Sequence, residues 1–173
     1  MTLEDVMPAN LRRARDEFGA DDDRSHPFSV RNSARRKDGA PSSGESAGSI
    51  AFTSTIEDAV READLAIDCV PDELESKLEI FCLLDRMAPP RTVLMTPTTQ
   101  LSIADLASCT YRADKCVAIV AEPSHLAASA NREVLLRTTS RTAHETIEMV
   151  REFWERMGFA ARIEQDPFEL RDK

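Results

Sequence analysis

The sequence predicts a doubly wound α/β domain, a parallel sheet covered by helices on both faces. Three observations lead there. Short, almost uniformly apolar segments, such as Leu65–Val70, Thr92–Met95 and Cys116–Ala121, read as strands buried on both sides. They alternate with amphipathic stretches that carry helix start and stop signals, the pattern of strand–helix–strand units. The chain has 173 residues, 42% apolar and 31% charged, enough for a single core.

Each element follows from local sequence. Met1–Val6 reads as a short strand, and Pro8 opens a helix with Leu11, Ala14 and Phe18 on one face and Arg12, Arg13 and Arg15 toward solvent. Residues 19–49 are rich in Ser, Gly, Pro, Asp and Arg, and read as a flexible low-complexity tract. Ser49–Thr53 is the next strand. Ser54-Thr55-Ile56-Glu57 reads as a capping box for a short helix through Ala59, Val60 and Ala63. After the strand that ends at Pro71, Glu73–Met87 forms a helix with Leu74, Leu78, Phe81, Leu84 and Met87 inside, stopped by Pro89-Pro90. Ser102 to Asp105 caps a helix ending near Cys109. Glu133–Arg137 is a further strand, and Thr142-Ala143-His144-Glu145 a second capping box. The helix it opens turns Ile147, Val150, Trp154 and Met157 inward, with Gly158 at its C-terminal cap and Phe159–Ile163 as the last strand.

Charge and composition exclude several functions. There are 22 Lys+Arg against 31 Asp+Glu, a net charge of -9, which opposes binding to a phosphate backbone. No apolar run reaches the roughly 18 residues of a membrane helix. The opening MTLEDVMPANLRR lacks the basic-then-apolar order of a signal peptide, so a cytoplasmic location is expected. Cys69, Cys82, Cys109 and Cys116 show no metal-ligand spacing and read as small buried hydrophobes; no metal is expected. In doubly wound sheets ligands sit beyond the carboxyl ends of strands. The loops of interest are therefore Asp5-Val6-Met7, Pro71-Asp72-Glu73, Thr96 to Gln100, and Glu122 to His125.

Those loops carry a family likeness. IAFTSTIEDAVREADLAIDCVPDELESKLEIF, residues 50–81, is followed by LLDRMAPP and by Thr96-Pro97-Thr98-Thr99-Gln100-Leu101-Ser102-Ile103. In order and spacing this resembles the NAD-binding domain of the 3-hydroxyacyl-CoA dehydrogenases. There the matching motifs are A-D-L-[VI]-[IVE]-E-A-V-x-E, K-x-E-[IL]-F and S-N-T-S-S-L-x-I. Met1–Arg15 resembles that family's second strand and helix, and Asp166-Pro167-Phe168 its D-x-P-G-F. The resemblance implies a Rossmann-like sheet, NAD as cofactor, and oxidation of the 3-hydroxyl of an acyl-CoA in fatty-acid β-oxidation. It divides the chain into a strand and helix at 1–18, the tract at 19–49, the remaining NAD-binding-like domain at 50–165 and a tail at 166–173.

The likeness also implies residue roles. Asp5 falls where the family's acidic residue accepts the ribose hydroxyls, with Glu4 as a rival; without the likeness Asp5 is an ordinary polar strand end. Asp72 stands in place of a Glu beside the nicotinamide ribose, and Lys77 matches a Lys near the same ribose. Judged from the helix alone, Lys77 is a solvated lysine. Thr99 replaces a Ser that hydrogen-bonds the substrate oxygen, and keeps the hydroxyl. Glu133 matches the Glu that orients the general-base His; apart from the likeness it is a charged strand-edge residue.

Three departures set expectations about activity. The glycines, Gly19, Gly39, Gly44, Gly48 and Gly158, nowhere form the G-x-G-x-x-G that lets backbone approach a pyrophosphate, so NAD affinity should be poor or absent. The His position is occupied by Val120, or by Ile119 after a shift of one, and neither moves a proton; His125 lies a few residues on. The family's Asn before the Thr-Ser pair is Pro97, and its helical second domain is expected to be missing. Three readings follow: an NAD-binding domain impaired on its own, a non-catalytic nucleotide- or acyl-CoA-binding or assembly module, or a truncated product without independent function. Lacking the first strand, the sheet should expose an edge that promotes self-association. Size-exclusion chromatography with a thermal melt checks this: association or low stability is expected, and a stable, monodisperse monomer would contradict it.

Overall fold

The described strands lie in two sheets. The computed structural model describes residues 1–19, 50–121 and 132–169, so the tract at 20–49, the loop with Glu122 and His125, and residues 170–173 lie outside the described residues. By internal contacts the chain divides into two units, Met1–Ala59 and Val60–Lys173.

In the first unit, β1 (Thr2–Glu4) pairs in parallel with β2 (Ala51–Thr53), placing Leu3 opposite Phe52. Helix α1 (Pro8–Gly19) begins with proline at its first position, where the missing N–H costs nothing. Leu11 is buried and the Arg15 guanidinium lies 5.4 Å from the Phe52 ring centre, a cation–π contact. Phe18, expected inside, is exposed. The reason is length: three-residue strands span about 10 Å, whereas a 12-residue helix runs about 18 Å. The cap of α2 (Ile56–Val60) falls one residue later than the sequence suggested. The Asp58 N–H donates to Thr55 Oγ1 (3.3 Å), and that hydroxyl donates to Asp58 Oδ2 (2.8 Å).

The second unit is a five-stranded sheet of order β3-β4-β5-β6-β7, comprising Leu65–Ile67, Val93–Pro97, Cys116–Ile119, Glu133–Thr138 and Ala160–Gln165. β3–β4, β4–β5 and β6–β7 are parallel; β5–β6 is antiparallel, with Ile119 opposite Leu136. The sheet is therefore mixed rather than wholly parallel. β6 starts at the end where β5 finishes, which needs no helical crossover. This remains a Rossmann-like arrangement with helices on both faces. Among the described residues no strand joins the two sheets.

Alternation along the strands sends side chains to two cores. Val93, Met95, Val117, Ile119, Val134 and Leu136 pack on Val150 and Trp154 of α5 (His144–Arg156), and Trp154 meets Phe153 and Phe159 edge-on. Helices α3 (Leu74–Met87) and α4 (Ile103–Ser108) pack against β4 and β5 with Phe81, Leu84, Ile103 and Leu106 buried. Leu74, Met87 and Met157, expected inside, are exposed: each sits at the extreme end of its helix, where fewer neighbours cover it. The second capping box does not form. Thr142 Oγ1 accepts from the Thr139 N–H (2.9 Å), and Ala143 opens α5 without a side-chain cap. The C-terminal end is as expected. Gly158 (φ 83°) donates to Glu155 O and Phe159 to Trp154 O, both 2.9 Å, the paired bonds of a Schellman turn.

One buried cation ties α3 to the sheet. Arg112 Nε donates to Asp85 Oδ1 (2.8 Å), and its other nitrogens reach the carbonyls of Asp85, Ala88 and Pro89 at 2.6–3.2 Å. A lysine cannot reproduce this planar fork. Arg112→Ala should lower stability by about 3–5 kcal/mol by leaving Asp85 unpaired, with Arg112→Lys recovering only part of it. Urea unfolding followed by circular dichroism checks both; a loss below about 1 kcal/mol would contradict this.

Candidate functional site

The carboxyl ends of β3 and β4 place several charged and hydroxyl groups together. β3 stops at Ile67, and Asp68 continues the chain with its N–H on Met95 O (3.2 Å). Its carboxylate is almost fully enclosed and accepts from Lys77 Nζ at 2.7 Å and from the Val70 N–H at 3.3 Å through the same oxygen. Lys77, in the first full turn of α3, is completely buried. The alternative of a solvated helix lysine is thus set aside: the ammonium faces the strand end because Asp68 holds it there. Burial pushes the Asp68 carboxyl up from its ordinary range, although Lys77 pulls the other way. The buried Thr96 hydroxyl faces the Asp68 carboxylate and, like Lys77, favours its charged form.

Asp72 lies between β3 and α3. Its Oδ2 accepts from the Thr99 N–H at 3.0 Å and from Thr99 Oγ1 at 3.5 Å, so the loops after β3 and β4 are clasped together. Thr98 shapes the turn that carries Thr99. Its own N–H goes to Ile119 O (2.9 Å), and its Oγ1 accepts from the N–H groups of Gln100 and Leu101. Asp72 Oδ1, also enclosed, is left without a partner among the described residues. Such an acceptor suits a hydroxyl or another N–H donor.

In the first unit, Asp5 follows β1. Its Oδ1 accepts from the Met7 N–H (2.7 Å) and its Oδ2 from Asn10 Nδ2 (2.8 Å), and both bonds hold the carboxyl below its usual pKa. An ionised Asp5 therefore starts α1 and borders a concavity of about 300 Å³ lined also by Leu3, Glu4, Asn10 and Arg13. Glu4, the rival, behaves oppositely. Partial burial and the adjacent Asp5 raise its pKa, and Glu4 Oε1 has no partner among the described residues.

The two candidates for the general-base position, Ile119 and Val120, are apolar. Ile119 is fully buried in the α5-side core, and Val120 donates its N–H to Leu135 O (2.8 Å). Glu133 is exposed at the start of β6, opposite Ala160 of β7. His125 lies outside the described residues. The sequence reading missed Asp68, Thr96 and the buried role of Asp166. Asp166 accepts from Ser102 Oγ (2.8 Å), the Ala104 N–H (3.2 Å) and the Phe168 N–H (3.1 Å), fastening the end of β7 to the start of α4. An acidic residue directly after an apolar strand, nine positions before a helix lysine, was the available signal for Asp68.

A sheet of this order, with acceptors at the strand ends, defines a dinucleotide-binding α/β domain. The family model "3-hydroxyacyl-CoA dehydrogenase, NAD binding domain" matches residues 1–162, and the chain belongs to that family, whose cofactor is NAD. It is 34% identical over 68 residues to a probable 3-hydroxybutyryl-CoA dehydrogenase of Bacillus subtilis, covering 39% of this chain and 23% of the relative. Against the 3-hydroxybutyryl-CoA dehydrogenase of Clostridioides difficile it is 35% identical over 68 residues, covering 39% and 24%. The crystal structure of the Escherichia coli 3-hydroxybutyryl-CoA dehydrogenase superposes with a TM-score of 0.69 at 20% identity, over 95% of this chain and 33% of that one, which shows a shared fold. The matches thus span about a quarter of the length of the curated relatives. Among the described residues no helix is long and apolar enough to cross a membrane.

The buried ion pair gives a pH-dependent expectation. Lys77→Met removes both groups' mutual compensation and leaves Asp68 to be buried alone, where only the protonated form is tolerable. An acid whose pKa is raised by folding loses stability as pH rises through its folded value. The variant should therefore be damaged more at pH 8 than at pH 5, by thermal melts in the two buffers. Equal losses at both would contradict the pairing.

Proposed function

We propose that this chain is an NAD-binding domain of the 3-hydroxyacyl-CoA dehydrogenase type whose own residues hold the riboses of the cofactor but carry no general base. The observation that carries this reading is the Asp72–Thr99 clasp with its spare, enclosed carboxylate oxygen. Asp72 accepts from a hydroxyl of the nicotinamide ribose, and Lys77 with Asp68 keeps the loop in place beneath it. Thr99 offers its hydroxyl to the substrate oxygen. Asp5, ionised and rimming its concavity, accepts from the diol of the adenosine ribose.

Fit to the cofactor is uneven. The ribose acceptors suit it, but the five glycines of the sequence form no G-x-G-x-x-G, so the pyrophosphate has no close-approach turn among these residues. When bound, NAD supplies hydride acceptance; the residues here supply orientation. Proton removal from a 3-hydroxyl has no agent at Ile119 or Val120, and Glu133 has no imidazole to steady at those positions. This favours a second, non-catalytic reading, a nucleotide- or acyl-CoA-binding module derived from fatty-acid metabolism, with a pseudoenzyme as its limit. A cytoplasmic setting and acyl-CoA ligands belong to the same proposal. So does self-association through β3, one of the two outer strands of its sheet.

Titration with NADH, followed by fluorescence, and an assay with acetoacetyl-CoA test the proposal. Weak binding without turnover is expected. Asp72→Ala should weaken binding by about tenfold, the worth of one hydrogen bond to a charged group. Turnover at a measurable rate would refute the missing base, and binding untouched by Asp72→Ala would refute its role.

A further inference from the structure

We propose that Cys82 and Cys109 form a dithiol across the seam between α3 and α4 that closes into a disulfide when a low-molecular-weight disulfide is supplied. Cys82 lies in the third turn of α3, and Cys109 ends α4. Cys82 Sγ is 3.8 Å from the carbonyl oxygen of Cys109. Cys109 Sγ is 3.0 Å from Leu106 O and 4.0 Å from Leu78 O, the carbonyl one turn before Cys82 on α3. Each sulfur thus crosses the seam toward the backbone that carries the other. Both thiols are free and half-buried. The remaining cysteines are placed differently: Cys116 is buried against the Thr110 hydroxyl and Arg112 O, and Cys69 is exposed on the loop after β3.

Burial and the adjacent Cys82 thiol push Cys109 up to about 12. Thiolate is the reactive form, so closure is slow near neutrality and quickens as pH rises. With oxidised glutathione as the disulfide, one protein thiolate attacks, breaks the S–S bond and releases one glutathione thiolate. The second protein thiolate then attacks the protein sulfur of the mixed disulfide, forms the Cys82–Cys109 bond and releases the second. The protein loses two electrons and two protons, and one glutathione disulfide becomes two thiols. The bond staples α4 to the helix that bears Lys77. This site is independent of the cofactor reading.

The full chain, incubated with oxidised glutathione in mildly alkaline buffer, is alkylated and mapped by peptide mass spectrometry. A Cys82–Cys109 cross-link is expected, about 2 Da lighter than the two thiol peptides together. In the folded protein it should be the dominant pairing, a preference lost in urea, and either Cys82→Ser or Cys109→Ser should abolish it. A Cys69→Ser variant, lacking the exposed thiol, should still form it. Separate glutathione adducts on both cysteines, a link that pairs other cysteines, no reaction at either, or the same preference for this pair in urea would each overturn the proposal.

Discussion

The ion pair between Asp68 and Lys77 fixes the geometry on which the candidate site rests. Enclosing two charges costs several kcal/mol of desolvation for each, and their attraction offsets this only when the contact is short and the remaining valences are used. Here the contact is 2.7 Å, the same Asp68 oxygen also takes the Val70 N–H, and the buried Thr96 hydroxyl favours the charged carboxylate. The pair sets the second unit's β3 against the first full turn of α3. Asp72 lies in the short connection between them, so its position follows. From there Asp72 grips the Thr99 N–H and joins the β3 and β4 loops. A break in the first contact would loosen every later one.

Two further buried polar groups serve the same unit. Arg112 gathers the carbonyls at the end of α3, and Asp166 caps α4 while fastening the end of β7. Each satisfies backbone groups that a helix end leaves without partners. Their joint effect is to hold α3 and α4 against β4 and β5, so that the apolar residues Phe81, Ile103 and Leu106 stay enclosed. The apolar contacts supply most of the driving force; the polar ones select a single arrangement of the loops.

Much of this was legible in the sequence because strand and helix periodicities differ and because Pro, Gly and Ser mark boundaries. Pro8, Ser102 and Gly158 each sit where their chemistry predicts. Other details were not local properties. The antiparallel β5–β6 pairing depends on how the chain returns to the sheet, which apolar content does not encode. Thr55 caps α2 in place of Ser54 because Asp58 is within reach of its hydroxyl. Phe18, Leu74 and Met157 satisfy helical spacing yet lie at helix ends, where spacing alone does not secure a covering neighbour. Asp5 in the first unit and Asp72, Thr99 and Lys77 in the second were singled out by family likeness. The burial of Lys77 was hidden because its partner comes from a strand end nine residues earlier.

The central claim is that the loops after β3 and β4 are preorganised by Asp68, Lys77 and Asp72 to receive a ribose. Amide chemical shifts of the isotopically labelled protein, recorded as NADH is added, test it most directly. The account predicts that the amides responding in the second unit cluster at residues 70–77 and 96–101, with α5 and β7 unmoved. Perturbations centred on α5 and β7, or none at millimolar NADH, would contradict it.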